Sequence, residues 1–189
     1  IFINNTFVNN KALGSGSNNG YGGAIRYEWA QKTVMFNNIF WGNRGNNFGS
    51  DSSKHELAQL WDDSNSEKAA SNNNFKHSKD RGNSFGSDNI SRDPQFVLDG
   101  SDDQYKLSDA SFLIGAGIKT YESQTAPSKD ILGNTRPSGS STDNPDMGAY
   151  ENSLAKTSYP DKIKDLTATS QNKSVVLSWT ANSESNISK

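Results

Sequence analysis

The sequence predicts an all-β chain of a repetitive, solenoid-like kind, and three observations carry that prediction. A ten-residue unit at the start recurs further along. Asn, Ser, Gly and Asp, the residues of turns and corners, dominate the composition. The last stretch alternates apolar and polar residues with the period of a strand.

The repeat comes first. Ile1 to Asn10 aligns without gaps on Val34 to Asn43, and Asn4, Asn5, Phe7 and Asn10 recur as Asn37, Asn38, Phe40 and Asn43. Side chains alternate faces along a strand, so Ile1, Ile3, Asn5 and Phe7 are expected to point one way, answered by Val34, Phe36, Asn38 and Phe40. If successive units stack, Phe7 lies over Phe40, and Asn5 over Asn38 makes a ladder of hydrogen-bonded amides. Each unit would bury its face only against its neighbours. Between the two units, Gly22 and Gly23 permit a tight corner before Ala24-Ile25-Arg26-Tyr27. Lys11 to Asn19 reads as a mobile surface loop.

Residues 45 to 89 read as an irregular insertion. Within it, Glu56 to Trp61 fits a short helix or a strand equally well, and Ser71 to Phe75 echoes the Asn-Asn-x-Phe theme as a degenerate rung.

Composition bounds the rest. Apolar residues make up 31 % of 189 positions, aromatic residues 10 %, and the net charge is -2. So polar a chain suggests disorder at first, but low net charge and many aromatics fit a turn-rich fold with a thin regular core better. The charge gives no footprint for nucleic acid. No cysteine is present, which excludes disulfides, thiolate metal sites and a Cys nucleophile. No apolar run is long enough to cross a bilayer. The chain opens at Ile1 without Met or a signal peptide, in what reads as a strand, so a fragment is expected.

From Asp93 onward come Asp93-Pro94-Gln95-Phe96, Tyr105-Lys106-Leu107, Gly115-Ala116-Gly117, Asp130-Ile131-Leu132-Gly133-Asn134-Thr135-Arg136-Pro137 and Asp146-Met147-Gly148-Ala149-Tyr150-Glu151. Together with Gly-Gly-Ala-Ile at 22 to 25, this order resembles the C-terminal end of bacterial right-handed parallel β-helix surface proteins of the pectate-lyase-like, choice-of-anchor type. The resemblance implies coils over residues 1–92, a closing segment over 93–152, and a secreted or cell-surface location. It implies structural roles for Asn5, Asn38, Asp93, Pro94, Gly117, Asp130, Gly133, Arg136, Asp146, Gly148 and Glu151. Asp130 and Arg136 have the spacing of an ion pair. This chain departs from the family where Phe112 and Gly115 replace a Pro and an Asp, and Leu113 and Ile114 are expected to supply an apolar rung instead.

Residues 153–162 read as a linker. Two strands follow within 163–189, with a polar turn from Ser170 to Lys173, and Val175, Leu177 and Trp179 on one face. They resemble the first two strands of a fibronectin type III domain. Such a sandwich needs about 100 residues, so the domain is expected to be incomplete.

Asp62-Asp63, Asp99 with Asp102-Asp103, and Asp143 with Asp146 offer paired acids, and Asp99 to Asp103 has the oxygen-rich composition of a Ca²⁺ loop without its ordered ligand positions. Asp in turns more often caps backbone N–H groups, and that reading is preferred. His55 and His77 lack partners at metal-ligating spacing. No catalytic residue, metal site or cofactor is expected, Ca²⁺ being the one candidate. Tyr21, Tyr27, Trp29, Trp41 and Trp61 are the candidate carbohydrate-binding residues, because flat rings stack on sugars, although Tyr and Trp are also commonly half-buried under loops. Trp41 in particular is expected outside the core. The leading expectation is a non-catalytic scaffold or adhesion module that contacts polysaccharide or a cell-surface glycan. The alternative is part of a polysaccharide lyase or glycoside hydrolase, for which a cluster of acids with an Arg or Lys base would speak. Arg26 and Glu28 are the nearest approach to such a cluster.

Overall fold

The computed structural model describes residues 1–14, 20, 22–27, 32–45, 60–62, 67–75, 79–80, 83–84, 86, 88–140, 143–154 and 164–180. Among these the chain is all-β, with several small parallel and antiparallel sheets and no helix. It divides into two compact units, Ile1–Lys156 and Thr157–Lys189.

The first unit is built from parallel tiers. The first tier holds β1 (Phe2–Ile3), β2 (Thr6–Val8) and β3 (Lys11–Ala12). The second holds β4 (Ile25–Tyr27), β5 (Lys32–Phe36), β6 (Ile39–Trp41) and β7 (Arg44–Gly45). The third holds β8 (Leu60–Asp62), β9 (Glu67–Ser71) and β10 (Asn74–Phe75). Strand β5 lies between β1 and β9, β6 lies between β2 and β10, and the pairs β3–β7 and β4–β8 continue the same stacking. The sequence repeat is therefore one tier laid on the next: Phe7 is in register with Phe40, and Phe40 with Phe75. A partial fourth tier begins where Ile90 bridges Asn74.

Two sequence expectations are corrected here. Lys11 and Ala12 form a strand on Arg44 and Gly45 rather than opening a loop; residues 15–19 lie outside the described residues. The stretch 45–89 is not one irregular insertion. It carries the third tier, in which Ser71, Asn74 and Phe75 of the degenerate rung are paired with the second tier and Leu60 and Trp61 are in a strand. Residues 56–59 lie outside the described residues.

What turns the chain inside each tier is a left-handed Asn. Asn4, Asn37 and Asn72 have φ of 54°, 57° and 49°, and Asp88 repeats the conformation at 56°. Asn and Asp tolerate this region because their short side chains hydrogen-bond locally. The turn also resets the facing of the side chains. Met35, Phe40 and Phe75 share one interior cluster with Phe2 and Phe7, whereas Ile3, Val34 and Phe36 belong to another. The expectation that Ile1, Ile3, Asn5 and Phe7 share a face fails for this reason: strict alternation does not continue through a left-handed residue.

The residue after each corner builds the amide ladder expected from Asn5 over Asn38. Asn5 Nδ2 donates to Asn38 Oδ1 at 3.0 Å, and Asn38 Nδ2 to Asn73 Oδ1 at 2.8 Å. Asn73 Nδ2 then donates to Asn89 Oδ1 at 3.0 Å. A second ladder joins Asn10 to Asn43 at 2.9 Å. Beside the ladders the rings of Phe7, Phe40 and Phe75 stack at centroid spacings of 4.9 and 4.8 Å, which matches the spacing of neighbouring strands. Full burial of a Phe ring stabilises by about 1.5–3 kcal/mol.

Residues 93–154 run beside the tiers as turns, with a small hairpin of β13 (Thr120–Tyr121) and β14 (Gln124–Thr125). Between the tiers and this segment, β11 (Lys79–Asp80) pairs with β12 (Asn83–Ser84). Leu107, Leu113, Ile114 and Met147 close over Ile39, while Ile118, Tyr121 and Ala126 pack against Val34, Phe36 and Ala69. Leu113 and Ile114 are fully buried, but in a turn rather than the rung expected of them. Polar contacts follow the column of left-handed residues. Asn37 exchanges two bonds of 2.8 Å with the backbone of Ile118, and Asn72 Nδ2 reaches Ala116 O at 3.4 Å.

The second unit is a two-stranded antiparallel hairpin, β15 (Lys164–Gln171) with β16 (Ser174–Thr180). Its turn is tighter than expected: only Asn172 and Lys173 separate the strands, with Lys173 at φ 61°. Val175, Leu177 and Trp179 are all more than half exposed.

Candidate functional site

The residues carrying the motifs of the closing segment converge on one buried polar knot. Glu151 Oε1 accepts the Ser138 N–H at 3.0 Å, and its Oε2 accepts the Asp146 N–H at 3.1 Å. Asp146 uses both oxygens as well, for the N–H groups of Gly115 at 2.7 Å and Asn152 at 2.6 Å. Asp130 takes the N–H groups of Leu132, Asn134 and Glu151 and the Asn134 amide at 2.8–3.0 Å. Arg136 Nη1 donates to Gly148 O at 2.9 Å and to Asp146 O at 3.4 Å.

The partner of Arg136 is therefore not Asp130. Its Nε lies 3.3 Å from Glu151 Oε2, both side chains being 1 % exposed, at a distance that suits an ion pair but without the alignment of a hydrogen bond. Asp130 is occupied by backbone donors instead. An acid at the start of a Gly-containing turn satisfies that turn's N–H groups before it can reach a cation six residues on.

Burial sets the electrostatics. It pushes the Glu151 carboxyl up to about 7, reinforced by the charge of Asp146 and opposed by Arg136. It pushes Asp146 up to about 6, against the N–H groups of Asn152 and Gly115 and the charge of Arg136. Burial also works to raise Asp130, but the N–H of Glu151 and the donors of Asn134 and Leu132 outweigh it and hold the group below its ordinary value. Three carboxyls thus face one guanidinium, which burial in turn pushes below its usual range. Every one of these acids is consumed in holding backbone. Beside the knot, an open cavity of about 230 Å³ is lined by Lys119, Ala126, Pro127, Arg136, Pro137 and Pro145, among others.

The other structural residues also act on backbone. Asp93 accepts the Gln95 N–H at 2.9 Å, and Pro94 is buried with its carbonyl taking the Ser111 hydroxyl at 2.7 Å. Gly117 donates to Pro145 O at 2.9 Å and sits so close to Asn37 that a Cβ would lie 2.9 Å from its amide. Gly133 closes the Asp130 turn at φ 85°. Asp99 and Asp143 likewise accept the N–H groups of Ser101 and Ser140. Among the described residues no group of three or more His, Cys, Asp or Glu is arranged to hold a metal ion. His55, His77 and Asp63 lie outside the described residues.

The aromatic candidates are not brought together into one described surface. Trp41, in register with Val8, is half-buried and packs against the cluster of Ile39, Leu113 and Met147 rather than standing outside the core. The closing segment covers that flank, which the repeat alone could not reveal. Trp61 is in register with exposed Arg26, and Tyr27 with Asp62. Tyr21, Trp29 and Glu28 lie outside the described residues, as do the side chains of Tyr27 and Trp61. Sequence reasoning missed Asn73 and Asn89 as ladder members and Glu151 as the partner of Arg136. The doublets Asn72-Asn73 and Asp88-Asn89 were the available signal for the first two.

Comparison of the chain with protein-family models, with curated proteins and with solved structures finds no match.

Proposed function

We propose that the chain is a stiff, non-catalytic module of a secreted or cell-surface bacterial protein. In this reading the tiers are the end of a right-handed parallel β-helix, residues 93–154 close it, and the final hairpin opens a fibronectin type III sandwich. The module serves as a scaffold that meets polysaccharide through its aromatic side chains. The observation that carries the reading is the unbroken stack of Asn5, Asn38, Asn73 and Asn89 beside Phe7, Phe40 and Phe75. Such ladders fix one tier on the next and suit a rod rather than a mobile catalytic loop. The use of Asp130, Asp146 and Glu151 as backbone acceptors supports a structural office for the acids. In the hairpin, the alternating exposed face of Val175, Leu177 and Trp179 is what one half of a sandwich presents to the other.

Affinity electrophoresis through gels cast with soluble polysaccharides tests the proposal, with polymer length followed in parallel. Retarded migration over intact polymer is the expected result. Unretarded migration across neutral, acidic and acetylated polymers would refute glycan binding. Shortened polymer would overturn the non-catalytic reading in favour of a lyase or hydrolase.

A further inference from the structure

The knot holds Arg136 by two of its three side-chain nitrogens. Nη1 donates to Gly148 O and Asp146 O, and Nε faces Glu151. Nη2 donates to none of the described residues. Nε also lacks a hydrogen bond, but of the two it alone is sealed from open space. Nη2 therefore reaches the cavity of about 230 Å³ that Arg136 lines, from a residue only 5 % exposed. A guanidinium fixed on one side and open on the other is a preorganised donor, because packing has already removed its rotamer freedom.

The rest of the lining narrows what such a donor can take. Pro127, Pro137 and Pro145 contribute no N–H. The N–H groups of Ala126 and Arg136 already donate to Lys119 O at 2.8 Å and to Ser128 O at 2.9 Å. Phosphate or sulfate, with oxygens on every side, would meet too few donors on these walls. A carboxylate needs donors at one end only, and Lys119, a half-buried cation, adds a second positive group to the lining. A cavity of about 150 Å³ is enough to admit benzene. The larger volume here leaves room for a ring and its carboxylate. Glu151 and Asp146 stand against the same guanidinium, but burial pushes both up, toward their neutral forms. Asp130 keeps its charge, and its oxygens are taken by backbone donors and the Asn134 amide.

We propose that this cavity binds a small aromatic carboxylic acid, with its carboxylate on Arg136 Nη2 and Lys119 and its ring against Pro127, Pro137 and Pro145. The site uses none of the Tyr and Trp side chains of the glycan reading, so either can fail without the other.

The test is a titration of the full ¹⁵N-labelled chain with benzoate at pH 6, where the Glu151 carboxyl, pushed up to about 7, is mostly protonated. The backbone amide signals of Lys119, Thr125, Ala126, Ser128 and Arg136 should move together and saturate with a Kd of about 1 mM, ordinary for so small a ligand. Benzamide, which has the shape without the charge, should bind about tenfold more weakly, because a charge-assisted hydrogen bond is lost. Arg136→Met is the obvious variant, but it takes a donor from Gly148 O and Asp146 O and is expected to unfold the knot. Lys119→Met leaves the knot's bonds in place and should weaken benzoate roughly threefold, as for one half-exposed ion pair. Benzoate shifts that are absent or scattered away from those amides would overturn the proposal. So would benzamide binding as tightly, inorganic phosphate moving the same amides as strongly, or benzoate binding unmoved by Lys119→Met.

Discussion

Asn38→Ala is the most informative single change in the tiers. The Asn38 side chain is fully buried and bonded on every side. Its Oδ1 accepts from Asn5 N at 2.9 Å and Asn5 Nδ2 at 3.0 Å. Its Nδ2, with two hydrogens, faces Phe2 O at 2.9 Å, Phe36 O at 3.1 Å and Asn73 Oδ1 at 2.8 Å. Truncation removes all of these at once. Asn5 Nδ2 retains Ile3 O, and Asn73 Oδ1 retains the Asn38 N–H, so those two groups are not orphaned. Asn5 N and Phe2 O, both part-buried, lose that partner, and each group abandoned out of water costs about 1–3 kcal/mol. The expected loss is therefore about 3–5 kcal/mol, a large part of the roughly 5–15 kcal/mol that holds a domain together. Asn5→Ala, at the half-buried end of the same ladder, should cost only about 1 kcal/mol, because fewer groups are stranded out of water. Urea titration followed by far-ultraviolet circular dichroism measures both. Equal costs for the two variants, or a loss below about 1 kcal/mol for Asn38→Ala, would refute the ladder as a source of stability.

Other predictions test the core, the segment of residues 93–154 and the knot. Phe40→Ala empties the middle of the ring stack and should cost about 3–5 kcal/mol, with Phe7→Ala clearly less because that ring is only half-buried; the same titration compares them. Gly117→Ala places a methyl 2.7 Å from Pro145 O and should cost about 1–3 kcal/mol as overpacking, read by the same titration. The knot makes stability depend on pH. Glu151 and Asp146 have folded values raised to about 7 and about 6, so their protonated forms favour the fold, and this contribution is lost as pH rises through 6 to 7. Asp130 is lowered, so its contribution is present at neutral pH and lost as pH falls below its ordinary carboxyl range. The melting temperature should accordingly fall between pH 5 and 8, and Glu151→Gln should flatten that slope; a slope unchanged by the substitution would clear Glu151 of the effect.

The tiers were legible in the sequence because the same short physics recurs in each. Asn-Asn-x-Phe encodes a left-handed corner, an amide rung and a stacked ring within four residues, so aligning Asn4–Phe7 on Asn37–Phe40 located both strands and their register. The third tier was harder to see, because Ala69 and Ala70 replace the large residues at Val34 and Met35, leaving Asn72-Asn73-Asn74-Phe75 as the only clear echo. The facing error arose at one dihedral angle: φ of 57° at Asn37 redirects everything after it, and no count of alternating positions registers that. The knot was half legible. Its members were all identified, but which carboxylate meets Arg136 depends on how the turns at Asp130 and Asp146 fold back. That is a property of backbone donors, which spacing between charges does not encode.

The low apolar content has a structural explanation in the same residues. A conventional core needs apolar side chains wherever the chain is out of water. Here Asn37, Asn38, Asn43, Asn73 and Asn74 are fully buried, and hydrogen bonds pair their amides with backbone or with the next amide. A buried amide that meets its partners avoids the penalty of an unpaired one, and a stack supplies those partners automatically by presenting the same group one strand spacing away. The arrangement also explains why the edge matters. Asn5, the outermost rung, is only partly buried and turns its Nδ2 back on Ile3 O as well as on Asn38. Asn4 and Thr6, in the first tier, are the residues that Asp146, Gly148 and Ala149 grip.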